Sequence, residues 1–148
     1  MTISRLAKRW RTITQVTSPT IDGWVVALLK RSKARQLECG WDEFDLTREN
    51  LRGLWIRQQG LCAVSGLVFD LTLPTRYFGN PSQPSLDRID SDRGYCLDNV
   101  RFVCLGANVA MNQWGLERFL PIAAAMVEKA GGLSHFALPK SYPMKEGV

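Results

Sequence analysis

With 148 residues, 45% of them hydrophobic, the chain has enough apolar material for one core of ordinary size. No apolar run reaches membrane-spanning length and the N-terminus has no apolar stretch with a cleavage site, so a soluble cytoplasmic protein without a membrane partner is expected. The net charge of +5 is uneven: residues 1–36 hold eight basic side chains against the single acid Asp22, a net +7, and the remainder is slightly acidic. A basic segment on a near-neutral body suits a polyanion such as nucleic acid, although such a run can also be a solvated helix face.

In chain order, residues 1–19 close at Ser18-Pro19 and read as a basic arm ahead of one domain over 20–138. Ile21, Trp24, Val25, Leu28 and Leu29 recur at helical spacing from Thr20 onward, and Lys30, Arg31, Lys33 and Arg35 follow towards the C-terminal end, where cations suit the dipole. These four are candidate phosphate-binding residues. A connector with Gly40, Trp41 and Phe44 leads to Thr47, which caps a second helix burying Leu51, Leu54 and Trp55 and stopping at Gly60.

Residues 62–71 read as a hairpin-like knuckle turning at Ser65-Gly66. A long loop follows over 72–84, where Arg76, Tyr77 and Phe78 set a cation beside two rings, either for nucleic acid or to cover the core. Two short strands then flank the turn at Arg93-Gly94-Tyr95, and a helix is expected from about Leu105 to Trp114. A last helix from Leu116 to about Ala130 should bury Phe119, Leu120, Ala123, Ala124 and Val127, with a bend near Pro121. The tail at 139–148, with two prolines, completes an α+β chain.

The chemistry concentrates in Ser85-Leu86-Asp87-Arg88-Ile89-Asp90, Asp98-Asn99-Val100-Arg101-Phe102-Val103-Cys104 and Ala107-Asn108. A carboxylate and amide oxygens brought together suit a hard divalent cation, Mg²⁺ or Mn²⁺, which takes oxygen ligands and keeps waters that phosphate can displace. Asp87 lies in an apolar strand pattern where an unpaired charge is costly, so a salt bridge to Arg88 or Arg101 is the structural alternative. Asn99 can equally be a turn residue, Asn108 a helix N-terminal one, and Asp90, Asp92 and Asp98 turn aspartates.

The order of these motifs resembles the HNH, or ββα-metal, endonuclease family over roughly residues 25–120, in a branch whose first strand reads Ser-hydrophobic-Asp-Arg-Ile-Asp. The resemblance implies a small ββα-metal core with flanking helices at both ends, and a metal-dependent DNA endonuclease of the compact kind found in phage and mobile elements. It makes Asp87 and Asn108 the metal ligands and Asn99 the brace of the inter-strand loop. Where most relatives carry a histidine as general base this chain has Arg88, which cannot accept a proton but can grip the scissile phosphate. The base is left open among Asp90, Asp92, Tyr95, Tyr77 and His135, or water acidified by the metal.

A lysine common three residues after the helix asparagine is Met111 here, and Asn112, one turn beyond Asn108, is a secondary polar candidate. Arg76 and Arg101 complete the candidate nucleic-acid contacts. Relatives often carry two Cys-x-x-Cys knuckles. Here the second positions are Ser65 and Ala107, so structural zinc is not expected and Cys62 and Cys104 should pack together as buried thiols. DNA is the expected partner, with RNA the weaker option, and the chain would act as a nicking monomer or as a homodimer cutting both strands. A catalytically silent DNA-binding or adaptor scaffold is the alternative reading.

Overall fold

Among the described residues, four α-helices and a two-stranded sheet form an α+β arrangement in which the sheet sits between the first two of those helices and the helix that leaves its second strand. The computed structural model describes residues 21–72 and 80–136; the basic arm at 1–19, the tail at 139–148 and Arg76, Tyr77 and Phe78 lie outside the described residues.

Helix α1 (Ile21–Cys39) buries Trp24, Val25 and Leu28, and its inner stripe continues through two polar residues, Ser32 and Gln36. Neither is left without a partner: Ser32 Oγ donates to Leu28 O at 2.9 Å, and Gln36 donates to the Trp41 carbonyl while accepting from Tyr95 N. Helix α2 (Arg48–Arg57) starts at Thr47, whose hydroxyl accepts from Asn50 N while the Asn50 side chain accepts from Thr47 N, a reciprocal cap. It buries Leu51 and Leu54, and Trp55 packs against Phe69 and Phe102 at centroid separations of 5.1 and 5.3 Å.

The knuckle is a tight turn rather than a strand pair. Cys62 N–H donates to Leu67 O, Gly66 N–H donates to Cys62 O, and one isolated bridge joins Leu61 to Val68. It carries Cys62 onto Cys104, whose backbone N–H donates to Cys62 Sγ at 3.2 Å. Both thiols are buried, as the sequence suggests, and the hydrogen bond between them favours the thiolate at Cys62 and the protonated thiol at Cys104. Cys96 lies elsewhere, against Glu43 Oε2 at 3.7 Å, and Cys39 is exposed.

Strands β1 (Pro84–Arg88) and β2 (Val100–Cys104) pair antiparallel, with Leu86 opposite Phe102 and Asp87 opposite Arg101. Both strands bury consecutive residues, because the sheet is covered on two faces. β1 ends before Ile89, which is 57% exposed and so falls outside the apolar strand pattern expected of it.

Helix α3 (Leu105–Met111) follows β2 directly and is shorter than the sequence suggests. Asn112 takes φ 45° and ψ −138°, which ends the α-helix and opens a 3₁₀ turn over Asn112–Trp114. Met111 is 2% exposed, so its side chain points into the core. Helix α4 (Gly115–Lys129) runs through Pro121. Its expected stripe is only partly covered: Phe119, Ala123 and Val127 are half-buried, Leu120 and Ala124 are exposed, and no residue of the helix is fully buried. Periodicity located an amphipathic helix here but not how little of the protein it packs against. Among the described residues no helix is long and apolar enough to cross a membrane.

Candidate functional site

A cavity of about 1050 Å³ opens between α1, the end of β1 and the α3–α4 corner. Asp87 and Asn108 both line it. Asp87 reaches it from β1, and Asn108 from the fourth position of α3, where Nδ2 donates to Ser85 Oγ at 2.8 Å and to Leu86 O at 3.1 Å. These two bonds orient the carboxamide against β1 and use its nitrogen, so Oδ1 is the atom left for a ligand. The strand-to-helix junction without an intervening loop is what brings the two residues to one wall.

Asp87 is 7% exposed, and Arg101 Nε donates to its Oδ2 at 2.8 Å. Burial raises the carboxyl above its ordinary value, against the hydrogen bond and charge of Arg101 and the charge of Arg88. Of the two ion-pair partners the sequence allows for Asp87, the structure uses Arg101; that candidate phosphate contact is folded onto the carboxylate rather than onto the cavity wall.

Arg88 lines the cavity but is also built into the β1–β2 loop. Its Nη1 donates to Ser91 O at 2.6 Å and to Arg93 O at 2.7 Å, and its guanidinium lies 3.6 Å from the centre of the Trp41 ring. Trp41 in turn meets Tyr95 edge-on at 5.9 Å. Tyr95 is buried and its phenol is pushed up by that burial, so at neutral pH it holds its proton and does not serve as a base.

Asn99 is 2% exposed and fully engaged. Its Oδ1 accepts from Asp90 N at 2.9 Å, and Nδ2 donates to Asp90 O and Gly94 O, both at 3.0 Å. Every polar atom of the side chain thus ties one end of the loop to the other. Asp90 faces the loop, accepting from Asp92 N, and does not line the cavity; the carboxylates on the wall are Asp87 and Asp92. His135 belongs to a 3₁₀ turn after α4, against Gly131, away from this wall.

Of the basic residues on α1, Arg31 and Arg35 reach the cavity from one helix face, four positions apart. Lys30 and Lys33 do not, and Lys33 lies over the Phe44 ring at 5.9 Å. Asn112 lines the wall although it has left the helix it was expected to share with Asn108. Sequence reasoning missed Ser32, Gln113, Trp114 and Arg118, all on the wall. The α1 face at 31, 32 and 35 was readable from helical spacing, whereas Trp114 and Arg118 arrive through the α3–α4 corner, which no local pattern announces.

Four arginines against two aspartates make the wall electropositive around one buried carboxylate. Asp87 and Asn108 offer hard oxygen donors, and the described residues hold no group of three or more His, Cys, Asp or Glu that would make an all-protein cage. That donor set fits Mg²⁺ or Mn²⁺, which keep several waters. Among the described residues no further Cys or His joins the Cys62–Cys104 pair. Compared with models of protein families, with curated proteins and with solved structures, the chain matches none.

Proposed function

We propose that the protein is a metal-dependent DNA endonuclease of the ββα-metal kind, hydrolysing phosphodiester bonds in this cavity. The observation that carries the reading is the approach of the Asp87 carboxylate and the Asn108 carboxamide to one arginine-rich wall through an antiparallel strand pair running straight into a helix. Asp87 and Asn108 would hold Mg²⁺ or Mn²⁺. The cation would supply charge neutralisation at the phosphate and acidify a bound water.

The chain's own residues divide the remaining work. Arg31 and Arg35, on the α1 side of the cavity, would hold the phosphodiester backbone. Arg88 would present its outer guanidinium nitrogens to the phosphate while its Nη1 stays tied to the loop carbonyls. Asn99 positions that loop without meeting substrate. Asp92, the second carboxylate on the wall, would accept the proton from water.

A second reading has its own support. The Arg101–Asp87 ion pair and the anchored Arg88 also suit a silent scaffold that binds DNA without cutting it. Supercoiled plasmid incubated with Mg²⁺, Mn²⁺ or EDTA separates the two. Metal-dependent nicking or linearisation that disappears in Asp87→Ala is the expected result, and plasmid left intact with both ions alongside salt-sensitive binding would establish the scaffold instead. The same gel distinguishes a nicking monomer from a dimer that cuts both strands.

A further inference from the structure

We infer that Trp114 is a base-stacking platform on the cavity wall, and that the DNA taken there presents an unstacked nucleotide, making single-stranded or locally opened DNA the substrate class. This rests on the nucleic-acid reading of the cavity. Trp114 is 54% exposed on the same wall as Asp87 and Asn108. A large aromatic side chain ordinarily gains most by entering the core, as Trp24 does at 3% exposure. Here the backbone keeps it out.

The 3₁₀ turn that carries Trp114 is bracketed by two positive-φ residues, Asn112 at 45° and Gly115 at 75°. For asparagine this conformation is strained, and strain of this kind persists where the surrounding structure holds a side chain in a required place. The Asn112 N–H donates to Asn108 O, so the turn is tied to the residue proposed to bind the metal. Trp114 is thereby held at a set position relative to Asn108.

The surroundings select the ligand. Gln113 and Asn112 beside the indole carry donors and acceptors suited to base edges, while Arg118, Arg31 and Arg35 suit phosphates. A protein partner would need a broad apolar surface continuing from the ring, and on this wall the exposed aliphatic side chain is Val109 alone among the described residues. The apolar patch of α4, at Ile122 and Met126, belongs to a separate groove. Inside a regular duplex both faces of each base are covered by neighbours, so an indole finds a face to stack on only where the strand is unpaired or opened.

The test uses fluorescence anisotropy of labelled oligonucleotides in EDTA: an oligodeoxyadenylate, an abasic strand of equal length and a blunt duplex. The wild type is expected to bind the adenylate more tightly than the abasic strand. Trp114→Ala should weaken adenylate binding by about 5- to 150-fold, the usual range for one stacked base, with little change on the abasic strand or the duplex. Trp114→Phe should recover part of the loss. Equal adenylate affinity in wild type and Trp114→Ala, or equal losses on adenylate and abasic strands, would overturn the platform. Because metal is absent, the result stands apart from cleavage: a base-dependent loss in a protein that never cuts plasmid removes the nuclease and keeps the platform, and cutting without base dependence does the reverse.

Discussion

Arg101 and Asp87 face each other across the β1–β2 pair as direct register partners, and the guanidinium Nε sits 2.8 Å from the carboxylate that the proposed cation would need. Arginine and the proposed cation would therefore compete for one buried group. Arg101→Gln should cost about 1–3 kcal/mol of stability without metal, because Asp87 is left in the protein without its ion-pair partner. Added Mg²⁺ should restore more stability to the variant than to the wild type. Urea unfolding at several Mg²⁺ concentrations measures both, and an equal response of the two proteins would separate Asp87 from the metal.

The same carboxyl sets a pH dependence. Burial raises the Asp87 pKa in the folded protein, so the folded state holds that proton more tightly than the unfolded chain does. Asp87 therefore favours folding most at acid pH, and this contribution is lost as the pH rises through the raised value. At sub-saturating Mg²⁺, where Asp87 must lose its proton before a cation can bind, metal-dependent cleavage should fall on the acid side at a pH above the ordinary aspartate value of 3.8. Arg101→Gln removes the opposing charge and should shift that limb further upward. A pH–rate profile of plasmid nicking for both proteins tests the direction; a shift downward would mean another group controls the limb.

Asn99 predicts an asymmetry between two substitutions. Asn99→Ala leaves the Asp90 N–H and the Asp90 and Gly94 carbonyls without their partner and should cost about 2–3 kcal/mol. Asn99→Asp keeps the acceptor for Asp90 N but turns a carboxylate oxygen on two carbonyls, and should be worse than alanine at neutral pH. Urea midpoints rank them, and an aspartate variant as stable as the wild type would contradict the hydrogen-bond assignment.

Gly94 is the position where the loop runs against the connector. A Cβ there would lie 2.1 Å from the Glu43 carbonyl oxygen, a backbone atom that cannot step aside as a side-chain tip would. Gly94→Ala should destabilise by more than about 2 kcal/mol, visible as a lowered thermal midpoint, whereas Gly66→Ala, which meets nothing within 4 Å, should be milder and limited to the strain of its φ of +67°.

What could be read from the chain is what local spacing encodes. The α1 stripe at Trp24, Val25 and Leu28, the Thr47 cap and the two strands follow from neighbours a few residues apart or from residue type, whereas the burial of Cys62 beside Cys104 was expected from the knuckle positions of the resembled family. Arg88 was read from its side-chain chemistry alone, which says nothing of the carbonyls of Ser91 and Arg93 or of the Trp41 ring 47 positions upstream. The α4 stripe was over-read for a related reason: an amphipathic period reports a preference for burial, and whether a surface exists to meet it depends on the rest of the fold. The site followed the same divide, with Asp87, Asn99 and Asn108 marked by their motif and Trp114 and Arg118 delivered by the corner.

The connector between α1 and α2 clasps the β1–β2 loop along its length. Phe44 bridges Tyr95, Asp45 accepts from Leu97 N, Arg93 pairs with Glu43, and Gln36 accepts from Tyr95 N. The hairpin and α3 are therefore not a cassette that can be lifted into another scaffold: part of the loop's fastening is written more than 45 residues upstream, and a graft beginning at β1 would carry the motif letters while leaving behind the clamp that gives them their shape.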